Sequence, residues 1–178
     1  IVIGGLFIHG KKEDDVNVSN LTLRDSKGHG VFGWNGASFH LDNVSVENSG
    51  NSGVLVIGSI HNTMKNCNVS HSEDSGISVR HGGLMTISGN HTTIHHNCTS
   101  VNELDYGLDA WSSSASIYLV SPLTIEQICK NNHNDYGGDG TIAIVDNEGT
   151  IIETIQEAGD GGLSSYAGED YYAPRLRF

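Results

Sequence analysis

Hydrophobic and polar residues alternate over short stretches along most of this chain, and the same small string introduces one stretch after another. Gly-apolar-x-apolar occurs as Gly5-Leu6-Phe7-Ile8, Gly53-Val54-Leu55-Val56 and Gly76-Ile77-Ser78-Val79. Looser copies are Gly30-Val31-Phe32-Gly33 and Gly107-Leu108-Asp109-Ala110, and a further copy begins at Gly140 with Ile142 and Ile144 one position late. A period of two is that of a strand with one buried face. Nine positions before four of these glycines stand Leu21, Val44, Cys67 and Cys98, and Cys129 precedes Gly140 with two extra residues. These five residues predict one inward column. Their spacings are 23, 23, 31 and 31, and a solenoid absorbs such changes because an insertion bulges from one turn of one coil.

Three short strands per coil fit the pattern. Val16–Val18, Phe39–Leu41 and Asn62–Met64 make the first sheet, and Leu21–Leu23, Val44–Val46 and Cys67–Val69 the second. The Gly-led strings make the third. Two-residue bends join the first two sheets: Ser19-Asn20, Asp42-Asn43, Lys65-Asn66 and His96-Asn97. Asn tolerates the left-handed backbone, and its amide can bond the same amide one coil away. A buried ladder of Asn20, Asn43, Asn66 and Asn97 is the expectation. Glycine recurs too often for a helical reading, and no 3.6 period is sustained.

The repeated strings at 48–56 and 71–79, with the Asn bend, resemble those of right-handed parallel β-helix repeat proteins of the pectate-lyase-like fold. Such repeats are typified by the periplasmic copper-loading accessory protein NosD and by polysaccharide epimerases. The resemblance covers about residues 1–145 and implies an all-β solenoid of about five to six coils. It says little about function, because the fold hosts many activities. The coils are expected over residues 1–140, a capping hairpin over 141–155, and a tail packed along the solenoid over 156–178. The chain opens in mid-coil without an initiator Met, as a mature product or a fragment does. An uncapped end exposes strand edges, so either a preceding part covers it or another subunit stacks there.

Composition narrows the partners. The net charge is −12, which opposes nucleic acid and anionic membranes. No apolar run approaches the roughly 20 residues that span a bilayer. The three cysteines are expected as buried thiols acting as small hydrophobes, with one disulfide plus a free thiol as the alternative. Six Asn-x-Ser/Thr sequons occur. Asn17, Asn68 and Asn90 are expected to point outward and to accept sugar in a secreted protein, whereas Asn20, Asn43 and Asn97 are not.

Candidate chemistry is sparse. Gly28-His29-Gly30 is similar to the His motif of polygalacturonases, but that family's other strings are absent, so His29 reads as a turn residue. Arg80 and Asp109 fall on adjacent coils of the third sheet. They are the weak catalytic candidates for a polyuronate lyase or epimerase, with a surface ion pair as the plainer account. The histidines His91, His95 and His96 have spacing compatible with a metal, but no carboxylate or thiol completes a set. No metal and no cofactor is expected. Counting from each leading Gly aligns Trp34, Ile57, Arg80 and Trp111 in one outward stripe. Trp34, Arg80 and Trp111 suit a sugar, rings stacking on the indoles and Arg80 meeting a uronate or sulfate; insertions or the tail covering the stripe is the alternative. Two readings stand. One is a noncatalytic extracellular or cell-surface module, structural or adhesive, partnering itself end to end. The other is a carbohydrate-active or polysaccharide-binding β-helix.

Overall fold

The computed structural model describes residues 1–34, 36–100 and 104–157. Its strands are β1 (Val2–Ile3), β2 (Leu6–His9), β3 (Asp15–Arg24), β4 (Val31–Trp34), β5 (Ser38–Glu47), β6 (Val54–Ile57), β7 (Asn62–Lys65), β8 (Asn68–Ser70), β9 (Ile77–Arg80), β10 (Leu84–Ser88), β11 (Thr93–His95), β12 (Leu108–Ala110) and β13 (Ser116–Val120). A single helical turn, α1 (Ile125–Ile128), leads to β14 (Cys129–Lys130), β15 (Tyr136–Gly138), β16 (Thr141–Val145) and β17 (Ile151–Gln156). Among the described residues, every pairing between coils is parallel, and the single antiparallel pair is β16 with β17. The result is an all-β parallel solenoid of about six turns.

The third face is a separate six-stranded sheet, in the order β15, β12, β9, β6, β4, β2. The first two faces are joined, because β3 and β5 run through the corner between them. The bend there is made by Asn20 and Asn43, each at φ 55°. Asn43 Nδ2 donates to Asn20 Oδ1 at 2.8 Å, and Asn66 continues the column at φ 51°. A second left-handed column turns the chain from the second face to the third: Asp25, Asn48, His71, His96 and Asn131, with φ between 54° and 59°. Asp, Asn and His are the non-glycine residues that accept this region most readily.

Inward residues stack in columns. Leu23, Val46, Val69, Ile94 and Cys129 form one, and Leu41, Met64, Ile87, Leu119 and Ile144 another. Asn62 interrupts the column of Phe39, Met85, Ile117 and Ile142, yet its amide is fully used. Its Oδ1 accepts from the Phe39 amide and Ser59 Oγ, and its Nδ2 donates to the carbonyls of Ser59 and Leu84.

The register corrects several sequence expectations. The step from Asn68 to Thr93 is 25 residues, not 31, because a turn around Gly89–Thr92 adds two residues at the first corner. Gly89, not Asn97, therefore follows Asn66, one residue beyond the paired Lys65 and Ser88. Asn97 instead lies buried at the second corner. Its Oδ1 accepts from the Ser72 amide, and its Nδ2 donates to Val69 O and Asn132 Oδ1. Asn20 and Asn43 are exposed, so their part of the ladder runs on the surface. Cys98 and Cys129 leave the column of Leu21, Val44 and Cys67 for the same reason. Cys129 pairs with Ile94, and the Cys98 amide bonds Asp74 O. All three cysteines are free and buried. The strand after Gly140 belongs to the first face, where Ile142 pairs with Ile117. Among the described residues, the third face ends with β15. Strands β16 and β17 meet across a turn closed by Asp146 N to Thr150 O at 2.9 Å. Beyond Glu157 the expected tail lies outside the described residues.

The recurring glycines answer to space, not to turn conformation. Gly30, Gly53 and Gly76 lack the left-handed φ. A Cβ on any of the three would stand 2.7 Å from the carbonyl oxygen of the next glycine in the column. At Gly53 it would also meet Val69 Cγ1 at 2.3 Å, and at Gly76 Ile94 Cγ2 at 2.7 Å. Backbone packs on backbone here, and no side-chain rotation relieves the clash. Gly76→Ala should therefore cost about 1–3 kcal/mol, the usual range for overpacking. Gly28→Ala, with nothing within 4 Å, should cost far less. Urea unfolding of both variants checks this; equal costs would contradict the packing account.

Candidate functional site

The third face presents two outward columns, and the pairings fix both. His9, Trp34, Ile57, Arg80 and Trp111 form one: Trp34 pairs with Ile57, Ile57 with Arg80, and Trp111 follows the Ala110–Val79 pair. The expected stripe is thus in register, with Trp34 and Trp111 three rungs apart, about 14 Å. The Arg80 guanidinium carbon lies 4.8 Å from the centre of the Trp111 ring, within cation–π range.

The second column is Phe7, Phe32, Leu55, Ser78 and Asp109. Leu55 and Ser78 are 0% exposed and Asp109 is 1% exposed, although all three project from the solenoid. The covering expected as the alternative concerned the first column, where Trp111 keeps 36% of its surface in solvent; in the second column Phe7 is exposed.

Arg80 and Asp109 do not form the surface ion pair that their spacing suggests. Arg80 Nε donates to Ser78 Oγ at 3.0 Å, and Ser78 Oγ donates to Asp109 Oδ2 at 2.8 Å. Asp109 is buried, and the hydroxyl stands between the charges. Asp109 Oδ1 has no hydrogen-bond partner, although the Ser75 hydroxyl lies close enough to ease its ionisation. Burial is the main reason that the Asp109 carboxyl is pushed up to about 7, with Asp105 adding to the rise, while Ser78 and Arg80 oppose it.

Three further groups gather here that single-residue reading missed. Burial, with the charge of Asp105, raises Asp74 to about 6. Asp105 itself is raised, again by burial first. His29 is not an ordinary turn residue: its ring packs on Phe32 with centroids 5.3 Å apart, and burial, then Arg80, lowers it to about 4. Asp105 follows an insertion that lengthens the step from Ser78 to Asp109 to 31 residues. Long connections in a repeat protein often hold function, and that was the available signal. Groups perturbed by burial together with a specific charge mark functional sites more often than chance. Among the described residues, no three carboxylate, imidazole or thiol groups are set around one point for a metal ion.

The other predicted residues lie elsewhere. Asn17 and Asn90 are exposed; Asn68 is half-buried, with its Nδ2 donated to Ser45 Oγ at 3.1 Å. His95 and His96 meet His71 on the neighbouring rung rather than His91. A shallow groove follows Asn20, Asn43 and Asn66, but its lining has no titratable side chain.

Asp109 sets a pH dependence. An unfolded Asp titrates near about 3.9, and the folded group near 7. Below about pH 4 both states hold the proton. As pH rises towards 7 the unfolded chain releases it first, so this group's contribution falls, then levels off. Asp109→Asn removes that loss. The variant should gain on the parent by on the order of 2–4 kcal/mol between pH 4 and 8. His29, whose lowered value has the opposite slope, is common to both proteins and cancels. Unfolding midpoints across that range check this; a pH-independent difference would contradict it.

Comparison with known proteins agrees with the solenoid fold. A protein family described as a right handed beta helix region matches residues 4–171. Neither the curated proteins nor the solved structures returned a match. With nearly the whole length matched and the strands stacked in parallel, the chain belongs to the right-handed β-helix family.

Proposed function

We propose that this β-helix binds a polysaccharide along its third face, as an extracellular or cell-surface module of structural or adhesive kind. The observation that carries the reading is the in-register stripe of Trp34, Ile57, Arg80 and Trp111, with Arg80 lying over the Trp111 ring. Indole faces at a fixed rung interval suit sugar rings, and a guanidinium and hydroxyls beside them suit ring oxygens. The charge around Arg80 refines the ligand. Asp74, Asp105 and Asp109 all interact with Arg80, and the chain is acidic overall. A neutral glycan therefore fits better than a polyuronate, which this surface would repel. The exposed sequons at Asn17 and Asn90 are consistent with a secreted protein.

A second reading has one observation in its favour. A buried carboxyl that titrates near neutrality, with one oxygen unpartnered, is suited to general acid–base work, as a carbohydrate-active β-helix would need. Calorimetry with neutral glucans, galactans and mannans beside alginate and pectin separates the cases. Binding to a neutral glycan, weakened up to about tenfold by Trp111→Ala, is expected without turnover. Product formation abolished by Asp109→Asn would favour the second reading. Binding untouched by Trp111→Ala and Arg80→Ala would remove the third face from both.

A further inference from the structure

Away from the third face, three imidazoles meet at the second corner. His71 and His96 occupy the same left-handed position on successive rungs, at φ 59° and 54°. Their rings stack with centroids 5.3 Å apart and planes within 3°. His95 meets both, at 6.0 Å from His71 and 5.0 Å from His96. His95 Nδ1 and His96 Nδ1 face each other at 2.8 Å.

The surrounding hydrogen bonds fix which nitrogen of His95 bears its proton. Glu47 forms an ion pair with Arg24, whose Nε donates to Glu47 Oε2 at 2.9 Å. A carboxylate only accepts, so Ser45 Oγ donates to Glu47 Oε1 at 2.8 Å. Ser45 therefore accepts from Asn68 Nδ2 at 3.1 Å. That orientation turns Asn68 Oδ1 towards Thr93 Oγ1 and His95 Nε2, each at 2.9 Å. His95 must donate from Nε2, which leaves its Nδ1 with a bare lone pair directed at His96. A ligating histidine is held in this way, its second nitrogen donating to a fixed carbonyl oxygen.

The geometry points to a site for one divalent first-row transition-metal ion, of the zinc or nickel class, held by His95, His96 and His71 with Asn68 as the positioning residue. Two imidazole nitrogens at about 2.0–2.1 Å from a shared ion stand roughly 2.9–3.4 Å apart at angles from square to tetrahedral. The His95–His96 pair is already close to that separation. Without metal, His96 donates its Nδ1 proton to His95 Nδ1; on binding, that proton passes through solvent to His96 Nε2, and His96 Nδ1 is offered to the ion in place of the hydrogen bond. No three donors are yet set around one point, so His71, which is exposed, turns about its side-chain bonds to supply the third. Imidazole suits these ions over calcium or magnesium, which take oxygen ligands.

The test uses the untagged chain, Zn²⁺ titration by calorimetry, and long-range ¹H–¹⁵N spectra of the imidazoles. Without metal, His95 is expected to be protonated at Nε2; a proton on Nδ1 would overturn the positioning argument. With Zn²⁺, one ion should bind at micromolar concentration and move the Nδ1 signals of His95 and His96. His95→Ala should weaken binding at least a hundredfold, and Asn68→Ala about 10–100-fold, with circular dichroism confirming that both remain folded. Binding only at millimolar Zn²⁺, or shifts confined to other histidines, would overturn the site. His71→Ala, at an exposed position, keeps the test open should either of the other variants fail to fold.

Discussion

The parallel register between coils is the constraint on which everything else rests. A strand displaced by one residue would turn its inward side chains outward, so each rung must meet the next in one alignment. Backbone hydrogen bonds alone do not choose that alignment. The glycine column does, because Gly30, Gly53 and Gly76 each pack against the next glycine's carbonyl with no room for a Cβ. Side-chain volume then follows. Gly33 stands where its neighbours on the next two rungs are Val56 and Val79, and the Phe39 ring fills the space that it leaves.

Much of this was legible because the repeat is chemical as well as periodic. A column that needs glycine for clearance and Asn for a left-handed bend writes both into the sequence at a fixed interval, and the first three coils keep that interval. The stripe from Trp34 to Trp111 could be counted from the leading glycines because β4, β6, β9 and β12 each directly follow a glycine. The corners beyond the first three coils could not be counted so. Two residues inserted near Gly89 and a longer connection before Asp105 lie in different parts of one coil. A single spacing of 31 merged them and moved Asn97, Cys98 and Cys129 into columns that they do not occupy. Burial was invisible for a different reason. Alternation says that Asp109 faces outward, but not that an outward residue is covered.

Outward positions of a solenoid are free of the core's demand for apolar residues, so chemistry collects there. On the third face the collection is a guanidinium, three carboxyls with raised affinity for protons, a neutral His29 and two indoles. Ser78 keeps Arg80 and Asp109 apart while coupling them. A direct ion pair would have held Asp109 ionised; the hydroxyl relay leaves its proton available near neutral pH. At the second corner, a run of hydrogen bonds from Glu47 to His95 orders imidazoles on neighbouring rungs. Both arrangements draw residues from adjacent coils, so both depend on the register.

The most direct measurement is a ¹³C NMR titration of the Asp109 side-chain carboxyl. Burial of that outward row, against the opposing hydrogen bond from Ser78, should place its midpoint near 7. A midpoint near 4, that of an open carboxylate, would mean that Asp109 is not buried, and the third-face site would fall with it.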